Sequence, residues 1–195
     1  MKNPSSNMKL TYQDLLRLPD DLLRHELIDG VHIVTPAPFT KHQRVVVNLG
    51  WLLRAYLEEH PLGQVYVAPV DVWFSDVNVV EPDLLYVSRE RLERQLTSKN
   101  LKGPPDLVVE VLSPSTRRRD RGLKRQLYER YGVSEYWLID PDAETVQVCR
   151  LEAGRLDPRI ELRREPGAAG PLLATPLLPG LEIPLGKLFD PPGGA

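Results

Sequence analysis

The stretch Pro104-Pro105-Asp106-Leu107-Val108-Val109-Glu110-Val111-Leu112-Ser113-Pro114 decides the fold class of this 195-residue chain. Its centre is a β-branched apolar run bounded by prolines, the pattern of a strand buried on both faces. Residues 117–131, RRRDRGLKRQLYERY, read as a basic helix stopped by Gly132. Residues 133–140, VSEYWLID, read as a further strand.

Upstream, a short helix is expected from Thr11, ending before Pro19. HELIDGVHIV (25–34) reads as a hairpin turning at Asp29-Gly30. Residues 40–60 form the clearest helix. Thr40 and Gln43 have capping-box spacing, and His42, Val45, Val46, Leu49, Leu52, Leu53, Tyr56 and Leu57 share one face. QVYVAPVDVWF (64–74) and PDLLYVS (82–88) read as strands, and RERLERQL (89–96) as a surface helix. Downstream, TVQVCRL (145–151) and RIELRR (159–164) suggest a closing hairpin, followed by a tail rich in proline and glycine that is expected to be mostly irregular. The element order indicates an α/β fold, an α+β mixed sheet with flanking helices and an N-terminal hairpin. One domain is expected over residues 11–190, with flexible ends at 1–10 and 191–195.

Composition excludes several classes. With 42% hydrophobic and 27% charged residues, the chain is not collagenous, coiled-coil or wholly disordered. The single cysteine, Cys149, offers neither a disulfide framework nor a clustered-cysteine zinc site, and fits a cytoplasmic location. The first ten residues lack the apolar core of a signal peptide, and no run approaches the roughly 18 apolar residues of a membrane span, so no membrane role is expected. The net charge of −2 is uneven: residues 117–130 carry +5 and residues 88–104 carry +3, leaving −10 on the remainder. That asymmetry suits either an anionic partner or a solvated face.

The informative residues are ionisable groups at apolar positions. Glu110 lies inside a doubly buried strand, where an unpaired carboxylate would cost several kcal/mol or take up a proton. Either a core salt bridge or a metal ion must compensate it. Asp83 opens another buried strand, and two carboxylates from neighbouring strands can converge on one oxygen-preferring divalent ion. At 100° per residue, Lys124 falls on the helix face spanned by Leu123, Leu127, Tyr128 and Tyr131, with Asp120 one turn earlier, and points back to the Glu110 strand. There it either neutralises Glu110 or acts on a water or phosphate. Glu26 in the first hairpin and His42 on the long helix are open to structural and site readings alike. No Walker, Rossmann, GxSxG or HExxH pattern occurs, which argues against nucleotide-binding, serine-hydrolase and zinc chemistry.

Taken in order, HELIDG, His42, Pro82-Asp83, GPPDLVVEVLSPST, Asp120 with Lys124 and Tyr128, GVSEYWLID and the late PLLPGLEIPLGKLF resemble the bacterial "putative restriction endonuclease" family of the PD-(D/E)XK nuclease superfamily. The likeness runs from about residue 11 to 190. It implies a restriction-endonuclease-like core that hydrolyses phosphodiesters with Mg²⁺ or Mn²⁺, most readily as a DNA endonuclease. It further implies Asp83, Glu110 and Glu26 as metal ligands, Lys124 as the catalytic lysine, and His42, Asp120, Tyr128 and Ser113 beside the site. The superfamily places its lysine two residues after the second acid, where this chain has Leu112; Lys124 stands in for it from the following helix. Arg117, Arg118, Arg119, Arg121 and Arg125 are expected along the nucleic-acid backbone, and a homodimer is implied by superfamily habit. The competing reading is a non-catalytic binding module with Lys124 paired to Glu110.

Overall fold

A computed structural model describes residues 9–19, 21, 23–165 and 170–190; the ends expected to be flexible fall outside these except for Lys9 and Leu10. The chain opens with a single helical turn, α1 (Tyr12–Leu15), held by Thr11, whose backbone N–H and hydroxyl both donate to Asp14 Oδ2. The hairpin follows as β1 (Arg24–Ile28) and β2 (Val31–Thr35). Its two turn residues, Asp29 and Gly30, have φ of 52° and 79°, the left-handed pair that a tight hairpin requires. Helix α2 (Thr40–Glu59) buries His42, Val45, Val46, Leu49, Leu53 and Leu57. Its N-cap is Phe39 rather than Thr40, so the expected capping box does not form: Thr40 is already helical.

The stretch 64–74 is not one strand. It divides into β3 (Gly63–Val67) and β4 (Asp71–Ser75), which belong to different sheets. Pro69 lies in the crossing and has no N–H to give a ladder. Next come β5 (Asn78–Val80), β6 (Leu84–Ser88), α3 (Arg89–Gln95), β7 (Asn100–Lys102) and β8 (Leu107–Val111). The basic helix spans residues 117–131 as α4 (Arg117–Arg119), a π-helical turn (Asp120–Lys124) and α5 (Arg125–Tyr131), and ends at Gly132 with φ 77°. Strands β9 (Glu135–Asp140), β10 (Thr145–Glu152) and β11 (Arg155–Arg163) complete the main sheet.

Six strands run in the order β11-β10-β9-β8-β6-β3, with β8 and β9 parallel across the basic helix and the other pairs antiparallel. A second, five-stranded sheet has the order β2-β1-β5-β4-β7. Alternation along the main sheet creates two cores. Leu107, Val109 and Val111 face α2 and the C-terminal segment, together with Trp137 and Ile139. Val108 and Leu112 face α5 and the second sheet, together with Tyr136 and Leu138. Glu110 has the parity of Val108 and Leu112, and therefore points toward the basic helix. The tail is better ordered than its composition suggests. It contributes β12 (Leu172–Leu173), β13 (Ile183–Pro184) and α6 (Leu185–Phe189), and its Leu173, Leu178, Leu181 and Leu188 are buried in the first core. Among the described residues, no helix is long and apolar enough to cross a membrane.

Candidate active site

The site lies where β6 begins and β8 ends. Leu84 pairs with Val109, so the antiparallel register continued by one residue sets Asp83 opposite Glu110. The crossover helix then covers that point. Its π-helical turn corrects the even 100° spacing expected of it: Leu123, placed on the packing face by that spacing, is 42% exposed, whereas Lys124 is 2% exposed. A π turn holds more residues than an α turn, which delays the phase of the helix and turns Leu123 outward while Lys124 keeps the inward position expected of it.

Lys124 Nζ lies 2.8 Å from Glu110 Oε1 and 2.7 Å from Glu26 Oε1, and all three side chains are buried. Tyr128, one turn along α5, donates its hydroxyl to the same Glu110 oxygen at 2.6 Å. The Glu81 backbone N–H donates to Glu26 Oε1 at 3.0 Å. On the other side of the site, Asp83 Oδ1 accepts from Arg24 at 2.6 Å, while Oδ2 meets His42 Nε2 at 3.0 Å and the Val111 N–H at 2.8 Å. A single cleft of about 330 Å³ is lined by Glu26, His42, Asp83, Glu110, Asp120 and Lys124. Its lips are the β2–α2 connection, residues 35–39, and the β8–α4 connection, residues 113–116.

Electrostatics differ sharply across the cleft. Burial would raise the Asp83 carboxyl, but the His42 hydrogen bond and charge, Arg24 and the Val111 N–H outweigh it and hold the group below the usual carboxylate range. Glu110 is pushed up, by burial first and then by Asp120, Asp83 and Glu26, against the pull of Lys124. Burial alone would lower Lys124, yet Glu110, Glu26 and Asp120 more than reverse this and keep it cationic. Burial also raises Asp120, with Lys124 opposing.

Several residues expected at the nucleic-acid backbone are occupied elsewhere. Arg117 makes a two-point contact with Asp140, at 2.6 and 3.2 Å, and Arg121 approaches the same carboxylate at 3.9 Å. Arg125 lies by Cys149, where it opposes the rise that burial imposes on the thiol. Arg118 is exposed outside the cleft. Only Arg119 of the five lines the cleft, bonding Thr35 Oγ1 at 2.8 Å and standing 3.8 Å from Glu26 Oε2. Ser113 lines it too, with its hydroxyl 3.0 Å from that of Thr116. Arg24, the clamp on Asp83, carries no signal in the sequence, since a basic residue opening a hairpin strand reads as a solvated one.

Among the described residues, no three His, Cys, Asp or Glu side chains form a ready-made metal cage. The donor chemistry nevertheless suits a hard divalent cation. Four carboxylates share the cleft, and Glu26 Oε2 and Asp120 Oδ1 are buried without a hydrogen-bond partner, leaving two carboxyl oxygens open to a cation.

Comparison with known proteins agrees with this architecture. Residues 12–186 match the model of the Uma2 family, described as "Putative restriction endonuclease". A crystal structure of a putative nuclease belonging to DUF820 from Anabaena variabilis superposes with a TM-score of 0.74 at 23% identity, covering 92% of this chain and 97% of that one. No curated protein matches in sequence. The chain therefore belongs to the Uma2 family of putative restriction endonucleases and has the mixed α/β fold of its nuclease-like structural neighbour.

Proposed function

We propose that this protein is a metal-dependent endonuclease that hydrolyses phosphodiester bonds in DNA. The observation that carries the reading is the convergence of Glu26, Asp83, Glu110 and Lys124, from four separate elements, on the floor of one cleft. Burying Glu26 and Glu110 around Lys124, beside an Asp83 held by Arg24 and His42, is costly as a way of stabilising a fold, and a catalytic role accounts for its presence. Asp83, Glu110 and Glu26 would hold Mg²⁺ or Mn²⁺, which when bound supplies Lewis-acid polarisation of the phosphoryl group. Lys124 orients the attacking water and offsets charge developing on the phosphate. Tyr128 fixes the rotamer of Glu110, and Arg24 with His42 fixes that of Asp83. Ser113 and Asp120 border the reacting region.

Arg119 is the arginine best placed to meet a backbone phosphate, and Arg118 could add a contact outside the cleft. We take residues 11–190 as one catalytic domain, working in the cytoplasm. A homodimer would present two sites for cutting two strands. The test is incubation of supercoiled plasmid, single-stranded DNA and structured RNA with Mg²⁺ or Mn²⁺. Metal-dependent nicking or linearisation of the plasmid is expected. Absence of cutting on every substrate by folded protein would overturn the enzymatic reading.

One observation favours a second reading. Lys124 is directly paired with both Glu110 and Glu26, as a retained fold serving as a binding or assembly module would have it. That reading predicts no divalent-ion binding, which calorimetric titration with Mn²⁺ would decide.

A further inference from the structure

The two lips of the cleft differ in chemistry. One is Thr35-Pro36-Ala37-Pro38-Phe39, rigid through its two prolines and ending in an aromatic ring that is 69% exposed. The other is Ser113-Pro114-Ser115-Thr116, rich in hydroxyls. Between them the carboxylates sit deep: Glu26, Asp83 and Glu110 are only 1–3% exposed. An aromatic side chain left in water at the mouth of a cleft gains nothing for folding, since burial of such a ring is what stabilises. It does offer a face on which a base can stack.

We propose that the cleft takes a single, unpaired nucleic-acid strand, with a base stacked on Phe39 and the adjoining phosphate led inward past Arg119. This rests on the nuclease reading of the same cleft and narrows its substrate. About 330 Å³ is near the small end of ligand pockets, which span roughly 300–1,000 Å³. It accommodates about one nucleotide, so a paired nucleotide must leave its duplex to reach carboxylates at that depth, which negatively supercoiled plasmid allows and a blunt oligonucleotide duplex resists. Enzymes whose target lies deeper than a duplex can reach act on unpaired or extruded nucleotides. Arg119 suits the inner end of that path. Its guanidinium hangs between Thr35 Oγ1 and Glu26, and its Nε has no hydrogen-bond partner. Stacking tolerates any base, so the sequence preference should be weak.

The experiment is fluorescence-anisotropy titration of the full chain with a labelled oligodeoxynucleotide, the same sequence as RNA, and the same sequence in a blunt duplex. Wild type, Phe39→Ala and Phe39→Trp are compared at one salt concentration. Single strands should bind at least about tenfold more tightly than the duplex, and Phe39→Ala should weaken single-strand binding about tenfold, within the range of one lost stacking contact. Phe39→Trp should retain it, and both variants should melt as wild type because the ring is exposed. The DNA and RNA arms identify which sugar the cleft accepts. Equal or tighter duplex binding, no measurable binding of any strand, or an unchanged dissociation constant in Phe39→Ala would overturn the proposal. Strand binding with no metal-dependent cleavage would instead sink the nuclease reading and leave the strand site standing.

Discussion

Replacing Lys124 by methionine keeps the length and most of the volume of the side chain but deletes its charge. The cavity contribution should then be small. What remains is electrostatic: Glu26 and Glu110, within 2.7 and 2.8 Å of the ammonium and almost fully buried, lose their common cation. Removing one partner of a buried pair typically costs about 3–5 kcal/mol, and we expect that loss at pH 7. It corresponds to a fall in melting temperature of roughly 6–20 °C for a chain of this size. Glu110 sets the pH dependence. Its wild-type value is raised to about 8, by burial foremost and then by Asp120, Asp83 and Glu26 against the opposing effect of Lys124. Above that pH the wild-type folded state has released the proton, as the unfolded state has. Without Lys124 the folded state retains it, binds one proton more than the unfolded state, and loses stability as pH rises. The penalty should therefore grow by about 1 kcal/mol from pH 8 to pH 9, since the wild type, still partly protonated at pH 8, loses a little over the same step. Urea unfolding followed by tryptophan fluorescence at pH 7, 8 and 9 measures it. A variant within about 0.5 kcal/mol of wild type, or a penalty that shrinks at pH 9, would refute the reasoning.

Three further outcomes follow from the same contacts. Tyr128→Phe removes the 2.6 Å donor to Glu110 without opening a cavity, and should cost about 1–3 kcal/mol in chemical denaturation. Glu81 is raised to about 7, chiefly by burial and then by Asp71 and Glu26. A raised folded value means the folded state binds the extra proton, so stability falls as pH climbs from 4.5 to about 7. Allowing for partial exposure, Glu81→Gln should be about 1–2 kcal/mol more stable than wild type at pH 8 and equal to it at pH 4.5, read from urea midpoints. Gly63→Ala would drive a Cβ into the Val87 carbonyl oxygen and to 2.8 Å from Tyr86 Cε2, so it should lower the melting temperature by an amount equivalent to about 1–3 kcal/mol.

The centre of the fold was legible because the apolar stretch 107–112 contains a carboxylate that has no business there. Glu110 demanded a cation, and the helix that follows could supply Lys124. The hairpin was equally plain, since Asp29-Gly30 admits few other conformations. What misled was local geometry. An even helical period put Leu123 inward, and nothing in RRRDRGLKRQ announces a π turn. The stretch 64–74 reads as one strand because its alternation survives Pro69, although the chain changes sheets there. β5 and β7 are three-residue strands set by their neighbours rather than by a pattern of their own. The tail escaped because its leucines are spaced by prolines, without period, and only the tertiary fold shows them entering the core. Among the site residues, Arg24 was hidden by the ordinariness of a surface arginine, and nothing local separates Arg119 from its neighbours, because the ion pairs of Arg117 and Arg121 with Asp140 depend on a partner distant in sequence.

The catalytic reading is tested most directly by Glu110→Gln. This isostere should fold, because the buried carboxyl is already pushed toward its neutral form and Lys124 keeps Glu26 as a partner. The measurement is nicking of supercoiled plasmid in Mg²⁺ and Mn²⁺ by wild type and variant, beside a thermal melt of each. The account predicts metal-dependent nicking by wild type that disappears in a variant with a cooperative melt. Nicking at the wild-type rate by folded Glu110→Gln would contradict it.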